Sequence, residues 1–211
     1  MKGLKNELQD IIIGNGPIGH TSQLKKVQNF LSRYAQTSPG TEEQKRIKSE
    51  EEKFLIDFAY EQDILYQRDI LEDTYISAGA EQRVYRYDDH SVIKLNDSVF
   101  YEYWLDYFNS LLIHNYFFKS TAYDFLGFKI ISNHVYAVVK QNFIVATEVT
   151  NLKLLQAFLE YNGFSNLRNN DYHHTQLGLI FEDLHDENVL SRDGILYFID
   201  TIFYLTKHFY E

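Results

Sequence analysis

Residues 183–200 read Asp183-Leu184-His185-Asp186-Glu187-Asn188-Val189-Leu190-Ser191-Arg192-Asp193-Gly194-Ile195-Leu196-Tyr197-Phe198-Ile199-Asp200. Val189-Leu190 and Ile195 to Ile199 flank Ser191-Arg192-Asp193-Gly194, and this pattern predicts a two-stranded hairpin. A hairpin returns the chain beside its starting point, so Asn188 at its entry is expected close to Asp200 just beyond its exit. An amide oxygen and a carboxylate then converge. Such hard donors suit Mg²⁺ completed by phosphate oxygens and water, whereas a tight calcium cage would want more ligands. Asp183, on the same loop, can face that spot without binding metal. In phosphoryl transfer, an acid so placed accepts a proton from the attacking hydroxyl while an Asn and a second Asp hold the metals.

Working outward, residues 74–78, 83–87 and 91–95 are rich in β-branched and aromatic side chains. Gly79 and Asp88-Asp89-His90 separate them, so three short antiparallel strands are predicted. An aromatic helix is expected over roughly Val99 to Phe118. Two strands follow near 123–131 and 135–141, split by Ser132-Asn133. A helix from Asn151 to Tyr161 starts after Thr150 and stops at Asn162-Gly163. A polar loop then leads into the catalytic-looking stretch. The fold class is α+β, strands first, with no internal repeat.

Residues 1–73 have helical period instead. Leu24, Val27, Phe30, Leu31 and Tyr34 recur at helical spacing behind Thr21 or Ser22 as caps. After the Pro39-Gly40 break, Thr41 with Gln44 reads as a capping box for a second helix to about Tyr60, whose apolar face is Ile47, Phe54, Leu55 and Phe58. The one boundary drawn is near residue 73, giving a helical region 1–73 and a body 74–211. Gly14, Gly16 and Gly19 match a dinucleotide fingerprint, but the polar run from Thr37 to Glu52 cannot be the buried second strand of a βαβ unit, so the glycines read as a turn between helices.

The assembled order resembles the protein-kinase-like fold. DLHDEN is similar to the catalytic loop of aminoglycoside and choline phosphotransferases and to the D-x-x-x-x-N of protein kinases, and Phe198-Ile199-Asp200 resembles the metal-binding segment. Val92-Ile93-Lys94 looks like the strand whose lysine holds the α/β-phosphates, and Ala78-Gly79-Ala80 lies where the phosphate-covering loop should be. More narrowly, GAEQRVYRYDDHSVIKLND (79–97) with YFID (197–200) resembles the kinase-like domain of polyvalent proteins from phages and conjugative elements. The resemblance covers about residues 74–202 and implies a minimal, C-terminally truncated kinase-like fold behind a helical arm. It implies Asp183 as base, Lys94 on the phosphates with Glu102 or a competing Glu81 as its partner, and ATP near Gly79, Lys94, Val139 and Gln141. Asn188 and Asp200 become the Mg²⁺ ligands. His185 reads as a loop-orienting residue and Asp186 as solvated; adjacent His173 and His174 point apart more often than they chelate.

Departures from an active protein kinase set the alternatives. The phosphate loop has one glycine, Thr201-Ile202 replaces Phe-Gly, and only eleven residues follow Asp200, too few for an activation segment. The expectation is a Mg²⁺-ATP-dependent phosphotransferase acting on a small molecule or partner protein, or else a kinase-like nucleotide-binding module of a mobile element without turnover. A nucleic-acid role through the arm is a weaker third reading.

Composition bounds these readings. Hydrophobic residues are 45% and aromatics 16% of 211 residues, enough for a core, and the chain has no Cys, which excludes disulfide scaffolds, thiolate metal sites and a cysteine nucleophile. No signal peptide or stretch of about 18 apolar residues is present, so no membrane partner and a cytoplasmic location are expected. Residues 1–48 carry 8 Lys/Arg against 4 Asp/Glu, and the remainder 12 against 26. An acidic body argues against nucleic acid except for weak contact through the basic arm.

Overall fold

A computed structural model describes residues 2–14, 22–37, 48–79 and 82–211. Gly16, Gly19, the Pro39-Gly40 break, the Thr41/Gln44 capping box, Ile47, Ala80 and Glu81 lie outside them. The chain forms two compact units, one made of Met1–Ile18, Asn109–Ala122 and Ile144–Glu211, the other of Gly19–Phe108 and Tyr123–Phe143.

The second unit is built on a five-stranded antiparallel sheet in the order β1-β2-β3-β5-β4, with β1 at Tyr75–Ala78, β2 at Gln82–Arg86, β3 at Ser91–Asn96, β4 at Asp124–Ile131 and β5 at His134–Asn142. The β4–β5 turn falls at Ser132-Asn133, both at positive φ (50° and 63°), as a tight hairpin requires. One sheet face packs Tyr85, Ile93, Leu95 and Val138 against Tyr66, Ile70 and Tyr136. Directly opposed residues in an antiparallel pair share a face, so the register Lys94↔Val139 and Val92↔Gln141 sets all four on the other side. That side also carries Phe125 and Phe128 of β4, whose rings meet Phe108 at 5.3 and 5.9 Å.

Helices α2 (Gln23–Thr37) and α3 (Lys48–Glu61) belong to this unit. Leu24, Val27, Leu31 and Leu55 are buried as the period demands, and Phe30 stacks on Phe58 at 4.1 Å. After α3 the chain bonds along β4: Tyr66 N–H donates to Phe128 O (2.7 Å) and Phe128 N–H to Ile64 O (2.9 Å). Gly127, at φ 136°, permits this approach, because a Cβ there would lie 2.5 Å from the Ile64 carbonyl oxygen.

The aromatic helix α4 spans Trp104–Phe117 and starts five residues later than the apolar pattern from Val99 predicts. Ser98 turns the chain at φ 57°, and Val99 and Phe100 remain exposed. Two partners from α3 hold the turn: Glu51 accepts the Trp104 N–H at 2.7 Å, and the Lys48 ammonium donates to the carbonyls of Ser98 and Tyr101. The first helical N–H groups need such acceptors, so this contact fixes where α4 begins.

In the first unit, α1 (Lys2–Ile12) buries Leu8, Ile11 and Ile12, and Gln9 donates to the carbonyl of Phe209 at 2.6 Å. Helix α5 (Leu152–Tyr161) is capped by Asn151, whose side chain accepts from Lys153 and Leu154 N–H, while the Thr150 hydroxyl bonds Val189 O instead of serving as cap. The expected polar loop after α5 is replaced by strands: β6 (Ser165–Arg168), β7 (Asp171–His174) and β8 (Leu179–Glu182) join β11 (Ile202–Leu205) in the order β11-β8-β7-β6. β9 (Val189–Arg192) and β10 (Ile195–Phe198) form the predicted hairpin, with Asp193-Gly194 at positive φ in its turn. Phe181 of β8 stacks on its ladder partner Phe203 of β11 at 4.0 Å, and Phe118 stacks on Phe198 at 4.2 Å. Much of the aromatic surplus is therefore spent around the strands that carry the Asp183 loop and Asp200. Among the described residues, no helix is long and apolar enough to cross a membrane.

Candidate active site

The loop between β8 and β9 starts at Asp183, which adopts φ 65°, a left-handed conformation that Asp tolerates better than most residues. Its N–H donates to Asp171 Oδ1 on β7 at 3.2 Å, and the next N–H, of Leu184, donates to Asn170 O at 3.2 Å. Leu184 is buried and anchors the loop from below. The His185 carbonyl then accepts N–H bonds from Asn188 (3.1 Å) and Val189 (2.9 Å), closing a tight turn. Asp186 and Glu187 at its tip are exposed.

Inside this turn the polar groups organise one another. Asn188 is buried and donates from Nδ2 to Asp183 Oδ2 at 2.6 Å and to the Asp183 carbonyl at 2.9 Å. His185 Nδ1 accepts the Glu187 N–H at 3.3 Å, and Nε2 lies 3.1 Å from Asn188 Nδ2 and 3.2 Å from Asp183 Oδ1. Each oxygen of the Asp183 carboxylate thus has a side-chain neighbour, Asn188 Nδ2 at Oδ2 and His185 Nε2 at Oδ1, and the group stays half-exposed. His185 touches three other residues of the same loop, Asp183, Glu187 and Asn188.

The hairpin brings Asp200 to Asn188 as its geometry requires. The Asn188 carbonyl accepts the N–H of Ile199 at 2.9 Å and that of Asp200 at 3.3 Å. With the Asn188 amide nitrogen turned to Asp183 and His185, the amide oxygen is the end left to face a cation. An amide oxygen and a carboxylate fit Mg²⁺, which prefers a few hard oxygen ligands with substrate phosphate and water making up the rest. His173 and His174, on β7, alternate across the strand instead of converging; His174 is buried, and burial lowers its pKa. Among the described residues no group of three or more His, Cys, Asp or Glu side chains is arranged to hold a metal.

In the other unit, Lys94 lies on β3 and is buried, with its ammonium 5.5 Å from the centre of the Tyr123 ring. Val139 stands opposite it on β5 and Gln141 one pair further, both buried. Gly79 is exposed where β1 ends, and no described atom lies within 4 Å of a Cβ built there. Glu102, expected on the aromatic helix, lies instead in the turn before α4 and is exposed. Glu51, Lys48 and Asp171, which hold the local geometry, were not found by motif. Their partners are backbone groups distant in sequence, and no spacing rule signals such contacts.

A family model described as the serine/threonine/tyrosine kinase found in polyvalent proteins matches residues 48–207. The chain belongs to this family. No curated protein and no solved structure matches it. The matched span opens at Lys48, the first residue of α3, and closes two residues beyond β11.

Proposed function

We propose that this kinase-like chain transfers the γ-phosphoryl group of Mg²⁺-ATP to a hydroxyl on a small molecule or a partner protein. The pairing of Asp183 with Asn188 at 2.6 Å, beside Asp200, is the observation that supports it most directly. Asp183 takes the proton of the acceptor hydroxyl as that oxygen bonds to the γ-phosphorus. The bond from phosphorus to the β–γ bridging oxygen breaks, and ADP leaves with the electron pair. His185 and Asn188 hold the carboxylate against rotation, which keeps its accepting oxygen aimed at one place. Asn188 and Asp200 would hold Mg²⁺, which when bound neutralises phosphate charge. Lys94 binds the α/β-phosphates, Val139 and Gln141 flank the nucleotide, and the Gly79 backbone approaches the phosphates. Lys94 suits this role because a buried ammonium gains more from a phosphate than an exposed one does.

Thermal shift with ATP and Mg²⁺, paired with product analysis, tests the reading. Mg²⁺-ATP should raise the melting temperature of the wild type and not of Asp200→Ala. Asp183→Asn should keep the shift and lose about 10²–10⁴-fold in turnover. Unchanged turnover in Asp183→Asn would remove Asp183 as the base. A nucleotide shift with no turnover in the wild type would leave a binding module.

A further inference from the structure

We infer that His114 is a positioning residue that fixes Asp200 through Thr201; this rests on the reading of Asp200 as a metal ligand. His114 lies on α4, is fully buried, and has both ring nitrogens engaged. Nε2 is 2.9 Å from the Thr121 carbonyl oxygen, which can only accept, so Nε2 carries the proton. In the neutral ring Nδ1 then presents a lone pair, and the atom facing it at 3.1 Å is the Thr201 hydroxyl, which donates to it. A single backbone carbonyl thus settles the direction of both hydrogen bonds.

Thr201 is buried, is joined by its peptide bond to Asp200, and precedes the first residue of β11. It lies outside the ladder, and its hydroxyl bond supplies an anchor there. Four residues earlier on α4, and so on the same helix face, Ser110 Oγ accepts the Phe203 N–H at 2.9 Å. Ser110 and His114 together grip residues 201 and 203, while the Asn188 carbonyl holds the Asp200 N–H from the other side. Asp200 is thereby held at its own N–H and through the side chain of the residue that follows it. Such outer groups set the orientation of a ligating carboxylate, and their loss costs about 10–100-fold in metal affinity.

The test compares Thr201→Val, which keeps the shape and removes the hydroxyl, with Thr201→Ser, which keeps the hydroxyl. At fixed ATP, the Mg²⁺ concentration that gives half of the thermal shift is read for each. Thr201→Val should raise it about tenfold, with Mg²⁺-free ATP binding unchanged, and Thr201→Ser should stay within about twofold of the wild type. Imidazole ¹⁵N spectra should show His114 as the Nε2–H tautomer in the wild type and a changed Nδ1 resonance in Thr201→Val. Should Thr201→Val not fold, Thr201→Ala carries the same comparison against Thr201→Ser. A lower melting temperature with wild-type Mg²⁺ dependence would make the contact structural only and overturn the inference alone. A wild type without Mg²⁺-dependent ATP binding would overturn the reading of Asp200 and this inference with it.

Discussion

Asn188 turns its amide nitrogen to Asp183, 2.6 Å from the carboxylate and 2.9 Å from the carbonyl of the same residue. The buried amide is a double donor to one amino acid. Asn188→Asp replaces it with an acceptor facing a carboxylate and a carbonyl, so the loop loses two hydrogen bonds and gains a like-charge contact. The expected cost is about 1–3 kcal/mol, read as a lower melting temperature in EDTA. A variant that melts with the wild type would show that the pairing does not hold the loop.

Asp171 is the second support of this loop. Its Oδ1 accepts the N–H of Asp183, and its Oδ2 is 3.2 Å from Arg168 Nε. Asp171→Ala frees the backbone at the residue with φ 65°, and the proposed base, loosened by even about 1 Å, would lose alignment. Turnover should fall about tenfold or more, with little change in the Mg²⁺-ATP thermal shift. Asp171→Asn keeps an acceptor for the same N–H and should remain close to the wild type. A fall in nucleotide binding in place of turnover would count against a role on Asp183.

Legibility in the sequence followed the reach of the forces involved. The β9–β10 hairpin was readable because β-formers flank an Asp193-Gly194 turn, and it delivers Asn188 beside Asp200 through local geometry alone. The strand β6 was not, since it is exposed along its whole length and shows no alternation of apolar and polar residues. Backbone pairing to β7 makes it a strand. The start of α4 was misread because Val99, Phe100 and Tyr101 fit a helical pattern, while the groups that delay it, Lys48 and Glu51, come from about fifty residues upstream.

That misread start supplies its own test. Glu51 is fully buried and accepts the Trp104 N–H. Glu51→Ala leaves that donor without its acceptor at the head of α4, at an expected cost of about 1–3 kcal/mol. Thermal melts in the absence of nucleotide measure it. A cost below a few tenths of a kcal/mol would mean that the turn at 96–103 holds itself.

Lys25 gives a pH signature that involves no active-site group. It is buried on α2, its ammonium donates to Gln28 Oε1 at 2.8 Å, and burial lowers its pKa from the ordinary 10.5 to about 8. The unfolded chain holds this proton more tightly than the folded one. Folding therefore pays for the buried charge below about pH 8, and stability rises as pH climbs from there towards the unfolded value. Urea midpoints should increase between about pH 8 and 9.5 in the wild type. Lys25→Met should flatten that rise.

Two glycines at positive φ separate backbone strain from steric overlap. Gly178 (φ 68°) ends the turn before β8, accepts the Thr206 N–H at 2.9 Å, and sits so close to the 208–209 backbone that a Cβ would lie 2.2 Å from Phe209 N. Gly194 (φ 76°) occupies the β9–β10 turn with nothing within 4 Å of the same position. Gly194→Ala meets only the left-handed penalty, about 1–2 kcal/mol. Gly178→Ala meets that penalty and a clash with main-chain atoms that cannot rotate away, so its loss should be at least twofold larger, about 3 kcal/mol or more. Denaturant unfolding of the two variants decides the matter: equal losses would show that the segment after β11 yields to the added carbon and does not brace β8, the strand that carries Asp183.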